Sequence, residues 1–493
     1  MRRRRFLQYS TAAIAAPALV GRAQAQPMAG GTLPIPPLMD VGGGAGNLLE
    51  AITGRHRFAE SFEAKTLGWS QDYLGPTLRM RRSRTARLTA RNSLDSPITA
   101  HWHGLHVPGR QDGGPQSLIA PGQELEQNLD IDQPVGTFWY HSHPHGRTGD
   151  QVYRGLAGML LIEDEAPASD NLPMEYGVDD LPLIIQDKSF SRSGALQYDD
   201  DGMAAMRGFR GDRIAVNGAL APKARVPQGV VRFRLLNASN SRVYALRFNN
   251  NRSFHQIGSD AGLLPAPVER RKLQLAPAER AEILIDFSDG AGARMVSEDV
   301  PVEMMGGGMM GGMMGGNSGP ATRDGAFRVL DIEVDRSQTG AIKALPVKLP
   351  GAHLPAFGEP VRRRRFELNM MMGMGMMRGM FGGRPKLGIN GKTYDMDRID
   401  QQVRLGETEV WEITADMMSH PFHIHGTSFQ VLSQNGQPVE FGKVGMKDVV
   451  WVENSAEILV RFDKPATKDT PFMYHCHILE HEDSGMMGQF TVG

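Results

Sequence analysis

Apolar and polar residues alternate in short runs along most of the chain, and Gly, Pro, Asn and Asp punctuate them. Ala86–Asn92, Gly136–His141, Val231–Leu236, Ala281–Phe287, Glu409–Ile413 and Ile458–Phe462 are examples. Long stretches with the 3.6-residue period of a helix are few. The spacing predicts an all-β protein made of β-sandwiches or barrels. Asp164–Gly177, rich in Ala, Pro and acidic residues, reads as a linker, and Asp335–Pro360, with several Pro and Gly, as a second. They divide the chain into three β-domains, 45–165, 178–335 and 360–493, each of ordinary domain size.

Residues 1–25 stand outside that pattern. Arg2–Arg5 form a charged head, and Arg3-Arg4-Arg5-Phe6-Leu7 has the spacing of a twin-arginine signal. The apolar run Thr11–Val20 that follows is too short to span a bilayer, so no stable membrane insertion is expected. Ala23-Gln24-Ala25 is a small-x-small cleavage site. The expectation is export through the twin-arginine (Tat) machinery to the periplasm and cleavage after Ala25. That removes five arginines and takes the formal net charge from −1 to −6. A near-balanced 54 Lys+Arg against 55 Asp+Glu gives no basic footprint for nucleic acid.

Composition adds chemistry. The chain has 15 His, 29 Met and one Cys, so no intramolecular disulfide is available and soft or borderline metal ligands abound. Six Met lie among Gly in Met304–Met314, and seven lie in Met370–Met380. Alternating Met with Gly gives no helical stripe that could pack a core, so both tracts read as exposed loops rather than core filler. Arg362–Arg365 reads as a solvated charged face.

Four histidine segments carry the strongest signal: His101-Trp102-His103, His141-Ser142-His143, His420-Pro421-Phe422-His423-Ile424-His425, and His475-Cys476-His477 with His481 and Met486 beyond. Residues i and i+2 of a strand point to one face, so each His-x-His presents two imidazoles side by side. The eight imidazoles of 101, 103, 141, 143, 423, 425, 475 and 477 suit a cluster of about three copper ions. Cys476 must point the other way. There it can join His481, Met486 and a second imidazole, His420. Two His, one Cys and a weak axial Met make a blue-copper electron-transfer site. One strand segment would then touch both centres, with metals on the order of 12–13 Å apart. His56, His255 and His353 read as ordinary residues, whereas His106 and His145 lie near ligands in sequence and could support them.

These segments resemble the copper-binding signatures of multicopper oxidases, and within that family those of bacterial periplasmic copper-efflux (cuprous) oxidases. The likeness covers most of the mature chain, including His101–Leu105, His141–Gly146, Ile389–Gly391, Asp416–Met418, His420–Gly426 and His475–Met487. It implies three cupredoxin-like Greek-key domains and four copper ions. His420, Cys476, His481 and Met486 would hold the type 1 ion. His101 and His423 would hold the type 2 ion. His103, His141, His143, His425, His475 and His477 would hold the type 3 pair. With every ligand position filled, the sequence departs from related cell-division proteins that keep the fold and lose the copper. The resemblance also gives Asp112 and Glu482 a proton-delivery role.

Asp416 and Met418 match positions that bind substrate Cu(I) in the resembling oxidases, a thioether to capture Cu(I) beside a carboxylate that favours Cu(II). The Met370–Met380 tract departs from the family pattern, being shorter, Gly-rich and His-poor, which disfavours a Met-rich helix. The resulting expectation is a monomeric cuprous oxidase that uses Cu(I) and O2 and serves copper tolerance. The alternatives are a laccase-like phenol oxidase and a Met-rich copper-buffering protein.

Overall fold

The computed structural model describes residues 30–42, 46–165, 171–199, 202–300, 326–349, 356–370 and 385–493. The signal segment, the Met304–Met314 tract, His353 and all of Met370–Met380 but Met370 lie outside the described residues.

Six β-sheets form three successive pairs. In the first pair, Leu38–Asp40, Thr77–Arg81, Ala157–Glu163 and Gly136–His141 lie side by side and face the sheet of Phe62–Trp69, Leu48–Ala59, Arg84–Asn92 and Glu124–Ile131. Trp69, Trp102, Phe138 and Leu160 fill the space between them. The second pair has eight and five strands around a core that includes Phe233, Tyr244 and Ile283. The third has seven and five strands, and its core includes Phe366, Trp411, Phe422 and Phe490. Both parallel and antiparallel neighbours occur in each pair. The molecule is all-β and cupredoxin-like, with a few short helices. No helix among the described residues is long and apolar enough to cross a membrane.

The predicted strands form, but some lack the exposed face that alternation suggests. Val230–Asn237 is buried at every position although it reads Val-Val-Arg-Phe-Arg. Arg234 reaches the first pair of sheets, donating to Thr137 there and to Asp180 of its own sheet, and Arg232 donates to Glu282, also of its own sheet. A face polar in sequence is therefore a docking face. Arg362–Arg365 also departs from the expectation. Arg363 and Arg365 are exposed and pair with Glu412, but Arg364 is nearly buried and pairs with Glu409, which also accepts from the Trp411 indole.

Candidate metal centre

Four histidine segments meet where the first and third pairs of sheets touch. His101 and His141 exchange backbone hydrogen bonds, N–H to C=O, at 2.9 and 3.1 Å. In the third pair, strand His420–Ile424 runs against Phe472–Cys476 with His423 opposite His475. Each bridge sets two His-x-His segments side by side. The pairs do not lie inside strands as the period-two reading assumed. His141 ends its strand, and His143, His425 and His477 fall just beyond theirs. The rings still converge, and all eight are buried. His101 stacks on His425 at 4.0 Å and His103 on His423 at 3.8 Å, each an inter-region contact. Gly104 makes the approach possible: its φ is +87°, and a Cβ there would lie 2.5 Å from a carboxylate oxygen of Asp448.

Most of the outer nitrogens are occupied, which fixes what the inner ones can do. His101 and His423 donate Nδ1–H to the carbonyls of Asp112 and Asp448 at 2.8 and 2.7 Å. His141 does the same to Ser142, and His475 to Cys476. His425 Nδ1 sits 2.7 Å from the Asp112 carboxylate. Glu482 lies 3.3 Å from His143 Nδ1 and 3.2 Å from His475 Nδ1. The free lone pairs then face inward: His425 Nε2 and His475 Nε2 are 3.1 Å apart, and His143 Nε2 and His475 Nε2 3.3 Å. Such contacts between lone pairs repel unless a cation lies among them. Buried nitrogens of His101, His103, His141, His423 and His477 have no protein partner. Burial holds the His103, His141, His143, His423, His425 and His477 imidazoles well below their usual range, and His475 to about 3. They are therefore neutral, the form in which an imidazole can bind a metal. The donor set fits copper.

Cys476 points away from this cluster. Its Sγ lies 3.4 Å from His420 Nδ1 and 3.7 Å from His481 Nδ1, and the two nitrogens are 3.3 Å apart. Met486 is buried in the same apolar cluster, and its carbonyl accepts the Cys476 N–H at 3.1 Å. Burial pushes the Cys476 thiol up, so a thiolate here calls for a bound cation. It also lowers His420 well below its usual range and His481 to about 4.

Asp112 and Glu482, both buried, each touch two imidazoles of the cluster: Asp112 touches His425 and His101, Glu482 His143 and His475. Burial, with Asp483 beside it, pushes the Glu482 carboxyl well up. Asp416 accepts the Met370 N–H at 2.9 Å, and Met418 is 2 % exposed, packed in the core that holds Cys476. Of the supporting candidates, His106 donates its backbone N–H to Gln133, and His145 is exposed and meets the Tyr394 ring edge-on at 4.9 Å.

Two functional residues escaped sequence reasoning. Asp448 is 3.2 Å from His103 Nε2 and accepts 2.7 Å from Arg280, both fully buried. With Nε2 so engaged, His103 presents Nδ1 to the cluster. The one signal was a charged pair, Lys447-Asp448, directly before the apolar strand Val449–Val452.

The fold and the nested centres define a multicopper oxidase, and the chain belongs to that family. The multicopper oxidase profiles match residues 52–167 and 365–493. A laccase-like multicopper oxidase CueO from Ochrobactrum sp. is 38% identical with a TM-score of 0.82, over 94% of this chain and all of that one. Multicopper oxidase mco of Staphylococcus haemolyticus is 37% identical over 90% of this chain and 88% of its own. Cell division protein FtsP of Escherichia coli is 36% identical over 99% of this chain and 98% of its own. The family implies copper binding, and the buried groups of donors to hold copper are present in this chain.

Proposed function

We propose that the protein is a cuprous oxidase: four Cu(I) are oxidised to Cu(II) while one O2 and four protons become two waters. His420, Cys476, His481 and Met486 would hold the electron-accepting type 1 copper. His101 and His423 would hold type 2, and His103, His141, His143, His425, His475 and His477 the type 3 pair. Bound copper would supply one-electron storage at the first site and O2 reduction at the second. The chain does the rest. Cys476 lies between His475 and His477, so the backbone of three consecutive residues joins the two centres. This nesting carries the reading. Asp112 and Glu482 orient imidazoles from their outer nitrogens, and Glu482, kept out of water, can hold a proton beside His143 and His475. Asp416 and Met418, four and two residues before His420, support Cu(I) as the donor.

The same reading takes residues 1–25 as a twin-arginine signal, the periplasm as the destination, a monomer as the working unit, and 45–165, 178–335 and 360–493 as the domains. Oxygen uptake by the copper-loaded mature protein tests it, with a stabilised Cu(I) complex beside a simple phenol. Rapid turnover on Cu(I), with phenol oxidation that depends on added Cu(II), is the expected outcome. Fast phenol oxidation without added copper would move the reading to a laccase, the activity named for the Ochrobactrum protein. The FtsP likeness favours a second reading, a part in cell division. It predicts a division defect on gene loss that Cys476→Ser rescues as well as the wild type does.

A further inference from the structure

His420, Cys476, His481 and Met486 are all buried, so a donor to a copper held among them would have to approach through the outer edge of an imidazole. The pocket of Cys476 has two such edges, and they differ. His481 turns Nδ1 to Cys476, so its proton sits on Nε2, which donates to the Met206 carbonyl at 3.1 Å. Met206 belongs to a short helix, Gly202–Arg207, of the second region, and its side chain enters the same apolar cluster as Cys476, Met418 and Met486. His420 is equally buried, but the backbone its ring lies against is that of Asp416, in its own region.

The helix is seated from its C-terminal side. Gly208, with φ +76°, packs where a Cβ would lie 2.3 Å from Ser241 Cβ and 2.7 Å from Ile478 Cγ2. Phe209 donates its N–H to Glu480 at 2.9 Å. Glu480 is one residue from His481, and it also accepts from Asn240 at 2.7 Å and Tyr198 at 2.8 Å. The cap is thus fastened to the very turn that carries the histidine it covers.

We propose that Gly202–Arg207 is a built-in plug over the His481 edge, which closes the type 1 site to phenols and leaves the Asp416–His420 side for a metal-ion donor. Met206 and Gly208 are then specificity-determining residues that touch neither substrate nor O2. The inference rests on the oxidase reading above. A phenol needs a wide, hydrogen-bonding approach to an imidazole edge, whereas an ion needs only donor atoms at one.

The test uses the copper-loaded full-length protein, Gly208→Ala, which forces the plug off its seat, and Met206→Ala, which thins it without disturbing Gly208. Pentafluorophenol, too electron-poor to be a donor, serves as the probe, and its effect on the blue absorption band is followed by titration. The wild type is expected to show no change, and at least one variant a saturable shift, with the ratio of phenol to Cu(I) turnover raised roughly tenfold. A shift in the wild type, no shift in either variant, or a shift with an unchanged ratio would each overturn the plug. Slow Cu(I) turnover by a wild type that ignores pentafluorophenol would sink the cuprous reading and leave the plug standing.

Discussion

The two candidate centres are built in opposite ways. The Cys476 pocket takes its four residues from one pair of sheets, within 420–486. The eight-imidazole cluster takes four rings from the first region and four from the third, and stacks them across the seam. The pocket is therefore secured by the packing of a single core, and the cluster by docking. The second region supplies no ring to either centre, yet it braces both. Arg280 reaches Asp448 behind His103, and Asn240 and Phe209 hold Glu480 beside His481.

That contrast can be broken from either side. Cys476→Ser is expected to abolish the blue band and cut Cu(I) turnover on the order of a thousandfold or more. Copper analysis should show about three ions retained per chain, because the cluster does not depend on Sγ. Arg280→Ala should do the reverse. It leaves Asp448 buried without its cation, a loss of about 3–5 kcal/mol read in thermal unfolding. Copper should be lost from the cluster first, with blue absorption the last to fall. Asp112→Asn and Glu482→Gln should lower turnover about 10–100-fold while anaerobic reduction of the blue copper keeps its rate. A slowed reduction would show that the two centres are not separable. Arg363→Ala, on the exposed face of Arg362–Asn369, should change stability by less than about 1 kcal/mol and neither centre at all.

The convergence of the histidines was legible because a short-range rule sets it. His-x-His converges whether the pair sits inside a strand or at its end, so placing His143, His425 and His477 inside strands cost nothing. The Cys476 pocket was readable for the same reason, with His481 and Met486 a few residues on. What stayed hidden came from elements far apart in sequence. Nothing near Asp448 announces Arg280, 168 residues earlier. Nothing in Met203–Phe209 announces that a carbonyl there meets His481, 275 residues later than Met206. The buried arginines of Val230–Asn237 misled for a related reason: alternation tells which face is polar, and only docking tells whether water is there.

The seam has one more consequence. Since four rings come from each side, a chain whose first and third regions have not met holds half a cluster, with the His425–His475 contact of the third region but not the His143–His475 contact that crosses the seam. Metal uptake there acts as an inspection of assembly. A substitution anywhere along the interface will register as missing copper well before it registers as unfolding, and copper content per chain becomes a sensitive gauge of folding quality.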